Sequence, residues 1–142
     1  MVVQTDEEIK KILRESRTVA VVGCSRDPEK DAHRVPRYLQ EQGYKIIPVN
    51  PQATAGAILG ERAYPSLAEL EGKERVDIID IFRPGEEVYR IVQEAIKLKP
   101  KAIWMQLGIV DEAAAKLAED HGIAVVMDRC MMAEHRRLLG KS

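Results

Sequence analysis

A glycine, a thiol, a hydroxyl and a cation follow one another directly after the apolar run 18–22. They are Gly23, Cys24, Ser25 and Arg26. Lys30 adds a second cation four residues later. Backbone N–H groups at a glycine turn, together with a hydroxyl and cations, are the groups that bind phosphate. The pattern predicts a phosphate-binding turn, and the alternative is an ordinary tight turn without a ligand, because glycine often ends a strand.

Acidic residues alternate with these cations. Asp27, Glu29 and Asp31 lie between Arg26 and Arg34, so the segment is nearly neutral. A solvated charged face is therefore an open alternative to a converging set of phosphate ligands.

The two cysteines also stand where apolar runs end. Cys24 or Cys130 could act as a nucleophile or form a mixed disulfide with a thiol ligand. Free cysteines are more often buried packing residues, which is the interpretation we favour for Cys24. Cys130 with His135 and an acid, Asp128 or Glu134, would resemble a thiol hydrolase, but nothing in the sequence indicates an oxyanion site.

The histidines do not suggest a metal site. His33 and His121 lack metal-ligand spacing with either cysteine. The sequence therefore yields neither a catalytic nor a metal-binding assignment.

Five apolar runs position these residues, and amphipathic segments separate the runs. Such alternation predicts a doubly wound parallel α/β sheet with right-handed crossovers and helices on both faces. We expect the strands to lie in the order 3-2-1-4-5. The predicted strands are 18–22, 44–49, 76–82, 102–106 and 123–127. Segment 53–65 has no clear period and is expected to be a loop with a short helical turn.

Every predicted strand ends in an unusual set of residues, most of them polar or glycine. They are Gly23-Cys24-Ser25, Asn50-Pro51, Phe82-Arg83-Pro84, Gln106-Leu107-Gly108 and Asp128-Arg129-Cys130. The carboxyl ends of parallel strands share one edge of the sheet, where α/β proteins bind ligands. No carboxylate follows the second strand, which argues against NAD, whose ribose is normally held by an acid there. An NAD(P)-linked oxidoreductase remains an alternative.

Size and charge exclude several classes of protein. We expect residues 1–142 to form a single domain. The net charge of −1 argues against a nucleic-acid binder with a broad basic surface. No apolar stretch is long enough to span a bilayer and no signal peptide is evident, so with only two cysteines a cytoplasmic location is expected. A single asparagine and many charged residues suggest a heat-adapted source.

Five motifs carry a resemblance to a known family. They are Val-Val-Gly-Cys-Ser at 21–25, Pro-Val-Asn-Pro at 48–51, Ile-Phe-Arg-Pro at 81–84, Trp-Met-Gln-Leu-Gly at 104–108 and Asp-Arg-Cys at 128–130. The chain resembles the small single-domain CoA-binding proteins, which are similar to the N-terminal CoA-binding domain of the succinyl-CoA synthetase α chain. The resemblance implies a Rossmann-like, five-stranded domain in which CoA, or an acyl-CoA, lies along the carboxyl edge of the sheet.

The resemblance also implies which residues contact CoA. They are Gly23, Cys24, Ser25, Arg26, Lys30, Val49, Asn50, Pro51, Phe82, Arg83, Gln106 and Gly108. Gly23, Ser25 and Arg26 would meet the phosphates, with Lys30 as a further partner, and Asn50 and Pro51 would border the nucleotide end. The rest of the groove would be bordered by Phe82, Arg83, Gln106 and Gly108. Ligase activity is not expected, because the synthetase carries its phosphorylated histidine in a separate domain. The expectation is a binding protein, with a cysteine-dependent acyl-CoA thioesterase as a further alternative.

Overall fold

Five parallel strands form the central sheet of the computed structural model, which describes residue 2 and residues 5–52 and 56–140. The strands are β1 (Thr18–Val22), β2 (Lys45–Val49), β5 (Ile78–Ile81), β6 (Ala102–Met105) and β7 (Ala124–Val126). Two further strands, β3 (Ala57–Ile58) and β4 (Glu61–Arg62), form a small antiparallel pair. The parallel α/β fold is thus confirmed.

The strand order differs from the prediction. The order in the sheet is β2-β1-β5-β6-β7, which is 2-1-3-4-5 when the five strands are counted along the chain. The prediction of 3-2-1-4-5 is therefore wrong, because β5 pairs with β1 rather than with β2.

The outer edge of β2 explains this order. The carbonyl of Pro48 accepts a hydrogen bond from the Tyr64 N–H at 2.9 Å, on the side of β2 that faces away from β1. The N atom of Pro48 faces the same side and has no proton, so a further strand would lack a donor there. Tyr64 also forms an isolated parallel bridge with Val49. β2 is consequently an edge strand, and β5 is buried in the middle of the sheet.

Helices cover both faces of the sheet. They are α1 (Asp6–Glu15), α2 (Asp31–Glu41), α3 (Gly85–Ala95), α4 (Glu112–Asp120) and α5 (Met131–Leu139), and 3₁₀ turns occur at Leu67–Leu70 and Ile96–Leu98. α1, α2 and α5 bury one apolar cluster against the sheet. α3, α4 and the 3₁₀ turn Leu67–Leu70 bury the other. The two-sided covering matches the unbroken apolar runs of the strands.

The segment after β2 contains the small antiparallel pair. Its strands join Ala57 to Arg62 and Ile58 to Glu61, where the sequence predicted a loop with a helical turn. Ile58 is buried, which anchors the pair against the core. Part of the predicted loop, residues 53–55, lies outside the described residues. Among the helices of the described residues, none is long and apolar enough to cross a membrane.

Candidate functional site

Gly23 lies where β1 and β5 end side by side. Its φ of +91° is accessible mainly to glycine. A Cβ at this position would lie 2.9 Å from the Cδ of Arg83 and 3.0 Å from the carbonyl oxygen of Phe82. In a sheet of order 2-1-3-4-5, the crevice that accepts ligands opens between the first and third strands. The corrected order therefore brings Gly23, Phe82 and Arg83 to the crevice.

The segment after Gly23 closes largely on itself. The Ser25 N–H donates to the Ala32 carbonyl at 3.1 Å, and the Ser25 hydroxyl accepts from the Asp27 N–H at 3.0 Å. The Lys30 N–H donates to the Asp27 carbonyl at 3.1 Å. Across the described residues, the N–H groups of Asp31 and Ala32 have no acceptor. The donors that remain for a ligand are therefore the Cys24 N–H in the turn, which likewise has no acceptor among the described residues, and the two N–H groups at the start of α2.

The predicted phosphate-binding cations lie on the solvent side of this segment. Arg26 and Lys30 are exposed, and Lys30 is the residue that precedes α2. The Arg26 Nη2 is 3.8 Å from the position that a Cβ on Gly56 would take. Arg34 donates to the Glu29 carbonyl at 2.7 Å and pairs with Asp31. Arg34 thus compensates acidic charge within the segment.

Asn50 ties the loop after β2 to the loop after β1. Its Nδ2 donates to the Cys24 carbonyl at 2.8 Å, and its Oδ1 accepts from the Gln52 N–H at 2.8 Å. The backbone N–H of Gly23 donates to the Val49 carbonyl at 2.8 Å. These bonds hold the two loops at a fixed separation, so Asn50 shapes the crevice through its own contacts.

A pocket of about 320 Å³ opens beyond the ends of β1 and β2, beside α3. Val22, Val49, Pro51, Pro65, Ser66, Leu67, Arg83, Glu87, Arg90, Ile91 and Glu94 line it. Arg83 forms a bidentate pair with Glu87, with N···O distances of 3.1 and 2.7 Å. The Arg83 guanidinium holds the pKa of Glu87 below its usual range. This pocket, which we call the α3 pocket, combines apolar walls with two arginines and two glutamates.

A second pocket of about 180 Å³ opens on the other face of the sheet, between α2 and the ends of β5 and β6. Asp31, Val35, Phe82, Gln106, Leu107, Ile109 and Cys130 line it. Leu107 is 71% exposed at the rim. This pocket, which we call the α2 pocket, is mainly apolar and contains one thiol.

The loop at the rim of the α2 pocket is held by an acid. The Asp128 carboxylate accepts the Gly108 N–H at 2.6 Å, and the Asp128 N–H donates to the Ile109 carbonyl at 3.2 Å. Asp128 itself has a φ of +58°. The Gly108 N–H is therefore occupied within the protein, and Asp128 acts as a positioning residue.

A buried carboxyl group in the central sheet was not anticipated from the sequence. Asp80 of β5 is fully buried, and its Oδ1 accepts from the Gln106 Nε2 at 2.6 Å while its Oδ2 has no partner among the described residues. Burial raises the pKa of Asp80 to about 7. Gln106 also accepts from the Met131 N–H at 3.4 Å. An acid within the apolar run 76–82 was the available signal. The hydrogen bonds of Gln106 to Asp80 and Met131 indicate that Gln106 supports the centre of the sheet as well as lining the α2 pocket.

The two cysteines differ in exposure. Cys24 is fully buried, and burial together with the nearby Asp80 raises the pKa of its thiol to about 12. This burial agrees with the packing role favoured for Cys24. Cys130 is partly exposed and lines the α2 pocket.

Cys130 and His135 do not form a catalytic pair. His135 is almost fully buried, bonds through Nδ1 to the Tyr38 hydroxyl at 2.8 Å, and lines a different pocket, together with Arg17 and Tyr44 at the opposite edge of the sheet. Burial lowers the pKa of His135. The arrangement required of a thiol hydrolase is therefore not assembled from these two residues.

Known proteins resemble this chain over most of its length. Residues 17–136 match the CoA binding domain family. The uncharacterized protein YneT of Bacillus subtilis is 38% identical over 128 residues, which cover 90% of this chain and 92% of that protein. A solved structure from Thermus thermophilus is 43% identical, with a TM-score of 0.89, and the match covers 96% of this chain and all of that one.

Part of a larger protein is also similar. The acetate–CoA ligase (ADP-forming) II subunit alpha of Pyrococcus furiosus is 37% identical over 79 residues, which are 55% of this chain and 16% of that subunit. The match to the domain family confirms the resemblance inferred from the five motifs. By its sequence and its fold, the chain belongs to the CoA-binding domain family.

Proposed function

We propose that this protein binds coenzyme A, or an acyl-CoA, along the carboxyl edge of its sheet. The observation that carries the proposal is the packing of Gly23 against Phe82, which lines the α2 pocket, and against Arg83, which lines the α3 pocket. CoA consists of a nucleotide end, a pyrophosphate and a long pantetheine arm. Such a ligand can place its nucleotide end in one pocket and its pantetheine arm in the other, with its pyrophosphate near the glycine turn.

The α3 pocket suits the nucleotide end. Val49 and Pro51 supply apolar surface for a base, as ligand pockets generally do. Arg83 and Arg90 supply positive charge for the phosphate on the ribose. Asn50 stands where a dinucleotide-binding protein places an acid, and an amide does not repel a phosphorylated ribose.

The start of α2 suits the pyrophosphate. The N–H groups of Asp31 and Ala32 have no acceptor across the described residues, and a helix N-terminus favours anions. Lys30 directly precedes α2 and Arg26 lies in the same exposed segment, so these two cations would provide the charge. Ser25 contributes by holding the loop through its bonds to Ala32 and Asp27.

The α2 pocket suits the end of the pantetheine arm. Its walls are formed largely by Val35, Phe82, Leu107 and Ile109, which match an aliphatic chain. The Gln106 amide lies at the base of the same pocket. The thiol of CoA, or a short acyl group on it, would end beside Cys130.

The proposal is for binding without catalysis by this chain. A cysteine-dependent thioesterase requires a base beside Cys130, whereas His135 is bonded to Tyr38 and lines another pocket. An NAD(P)-linked oxidoreductase is disfavoured by the amide at Asn50 and by the single glycine of the turn.

Calorimetric titration with CoA, dephospho-CoA, NAD and NADP tests the proposal. We expect CoA to bind most tightly, and dephospho-CoA to bind more weakly because it lacks the phosphate on the ribose. Tighter binding of NAD or NADP than of CoA would overturn the proposal in favour of an oxidoreductase. Hydrolysis of acyl-CoA that is abolished in Cys130→Ala would overturn the part that denies catalysis.

A further inference from the structure

Cys130 is a partly exposed residue in a pocket that four apolar side chains line together with Asp31 and Gln106. The α2 pocket has a volume of about 180 Å³ and lies at the carboxyl edge beside the β1–β5 crevice. Phe82 lines this pocket, and the next residue, Arg83, contacts Gly23 and lines the α3 pocket. The thiol is thus reached from the same crevice that leads past the glycine turn.

The local structure fixes the backbone that carries this thiol. Cys130 directly precedes α5, and its carbonyl accepts the Glu134 N–H at 2.9 Å. The preceding carbonyl, that of Arg129, accepts the indole N–H of the buried Trp104 at 2.8 Å. The following N–H, that of Met131, donates to Gln106 at 3.4 Å. The pocket wall at Cys130 is therefore held on both sides by buried side chains.

The second cysteine provides a contrast within the same chain. Cys24 is fully buried and lies beside Asp80, and the pKa of its thiol is raised to about 12. Because the thiolate is the species that attacks a disulfide, Cys24 is protected from thiol–disulfide exchange. Cys130 is partly exposed and lines a pocket, so the fold separates one accessible thiol from one inaccessible thiol.

We propose that the α2 pocket is a thiol-exchange site in which Cys130 forms a mixed disulfide with coenzyme A. This inference rests on the proposed function, because docking of the nucleotide and phosphates is what brings the end of the pantetheine arm to Cys130. The reactant is the disulfide of CoA. The Cys130 thiolate attacks one sulfur, the S–S bond breaks, and one CoA leaves as a thiolate that takes up the proton lost by Cys130. The protein retains the other CoA through a new S–S bond, so no further oxidant is required.

Intact-mass spectrometry of the reduced protein mixed with CoA disulfide tests the inference, with glutathione disulfide at equal concentration as the matched control. Docking raises the local concentration of the reactive sulfur, so the CoA adduct should form at least about tenfold faster than the glutathione adduct. Peptide mapping should find the adduct on Cys130 and leave Cys24 unmodified. Cys130→Ser should form no adduct.

Arg26→Ala separates docking from simple thiol reactivity. It should lower the ratio of the rate with CoA disulfide to the rate with glutathione disulfide. Equal rates with the two disulfides in the parent protein, or an adduct on Cys24, would overturn the inference. Calorimetry with reduced CoA distinguishes the two levels of the account. If reduced CoA binds but CoA disulfide forms no adduct, only the exchange site is overturned. If reduced CoA does not bind, the proposed function is overturned as well.

Discussion

The side chain of Arg83 lies directly against Gly23, with its Cδ 2.9 Å from the position that a Cβ on Gly23 would take. This contact joins the end of β1 to the end of β5 at the crevice of the sheet. Glu87 holds the same arginine through two hydrogen bonds, so the guanidinium is fixed above the turn. The glycine is required both by its backbone conformation and by the arginine packed on it.

Gly23→Ala should destabilise the protein through both effects. Gly43→Ala is the matched control, because Gly43 has a similar φ of +97° but has no atom within 4 Å of the added Cβ. Strain at positive φ costs about 1–2 kcal/mol, and we expect Gly23→Ala to lose more than Gly43→Ala. Urea unfolding of both variants measures the difference. Equal losses would show that the contact with Arg83 adjusts without cost.

Arg26→Ala and Lys30→Ala should weaken CoA binding. A charge-assisted contact to phosphate contributes about 1.5–3 kcal/mol, so each variant should lose at least about tenfold in affinity. Arg37→Ala, an exposed cation on α2 away from the turn, is the control and should bind as the parent does. Calorimetry at two salt concentrations should also show weaker binding at the higher one. Parent-like affinity in both variants would mean that the phosphates bind elsewhere.

Glu87→Gln should strengthen CoA binding. The substitution removes one negative charge from the α3 pocket and loosens the pair that holds Arg83, so the guanidinium can turn to a phosphate. We expect a gain in affinity of about threefold, the scale of a partly exposed ion pair. Glu94 lines the same pocket without bonding to Arg83 in the described structure, so Glu94→Gln should give a smaller gain in affinity. A loss of affinity in Glu87→Gln would contradict the role given to Arg83.

Asp80→Asn should change how stability depends on pH. The pKa of Asp80 is raised to about 7 in the folded protein, whereas an unfolded Asp titrates near 3.9. The folded state therefore keeps a proton that the unfolded state releases, and the free energy of unfolding falls as the pH rises from about 4 to about 7. The neutral amide can still accept from Gln106 and does not titrate. The free energy of unfolding of Asp80→Asn, relative to that of the parent, should therefore rise by about 2–3 kcal/mol between about pH 5 and pH 8. Denaturant unfolding with the same pH dependence in both proteins would contradict this account.

Periodicity in the sequence was sufficient to predict the strands and the helices on both faces. The order of the strands was not predicted correctly, although Pro48 carried the relevant signal. A proline near the end of a strand marks an edge, whereas the order 3-2-1-4-5 would place β2 between two neighbours. Strand order depends on which edge receives the next crossover, and that choice is made by tertiary packing rather than by local pattern.

The candidate site, like the fold, could be predicted from the sequence only in part. The residues at the strand ends could be identified from their spacing, and the structure gathers them at one edge. The hydrogen bonds that they make could not be predicted. Ser25, Asn50 and Gly108 proved to be bonded within the protein, because neighbouring loops already supply their partners. Asp80 and Gln106 are 26 positions apart in the sequence, so no local pattern predicts their hydrogen bond.

The central claim is that CoA binds at the carboxyl edge, and backbone-amide chemical-shift mapping by NMR during a CoA titration tests it most directly. The account predicts that the largest changes occur at Gly23, at the start of α2, and at Phe82 and Arg83. The opposite edge of the sheet, where Arg17 and Tyr44 line a separate pocket, provides the internal comparison. Largest changes at that opposite edge, with the glycine turn unaffected, would contradict the account.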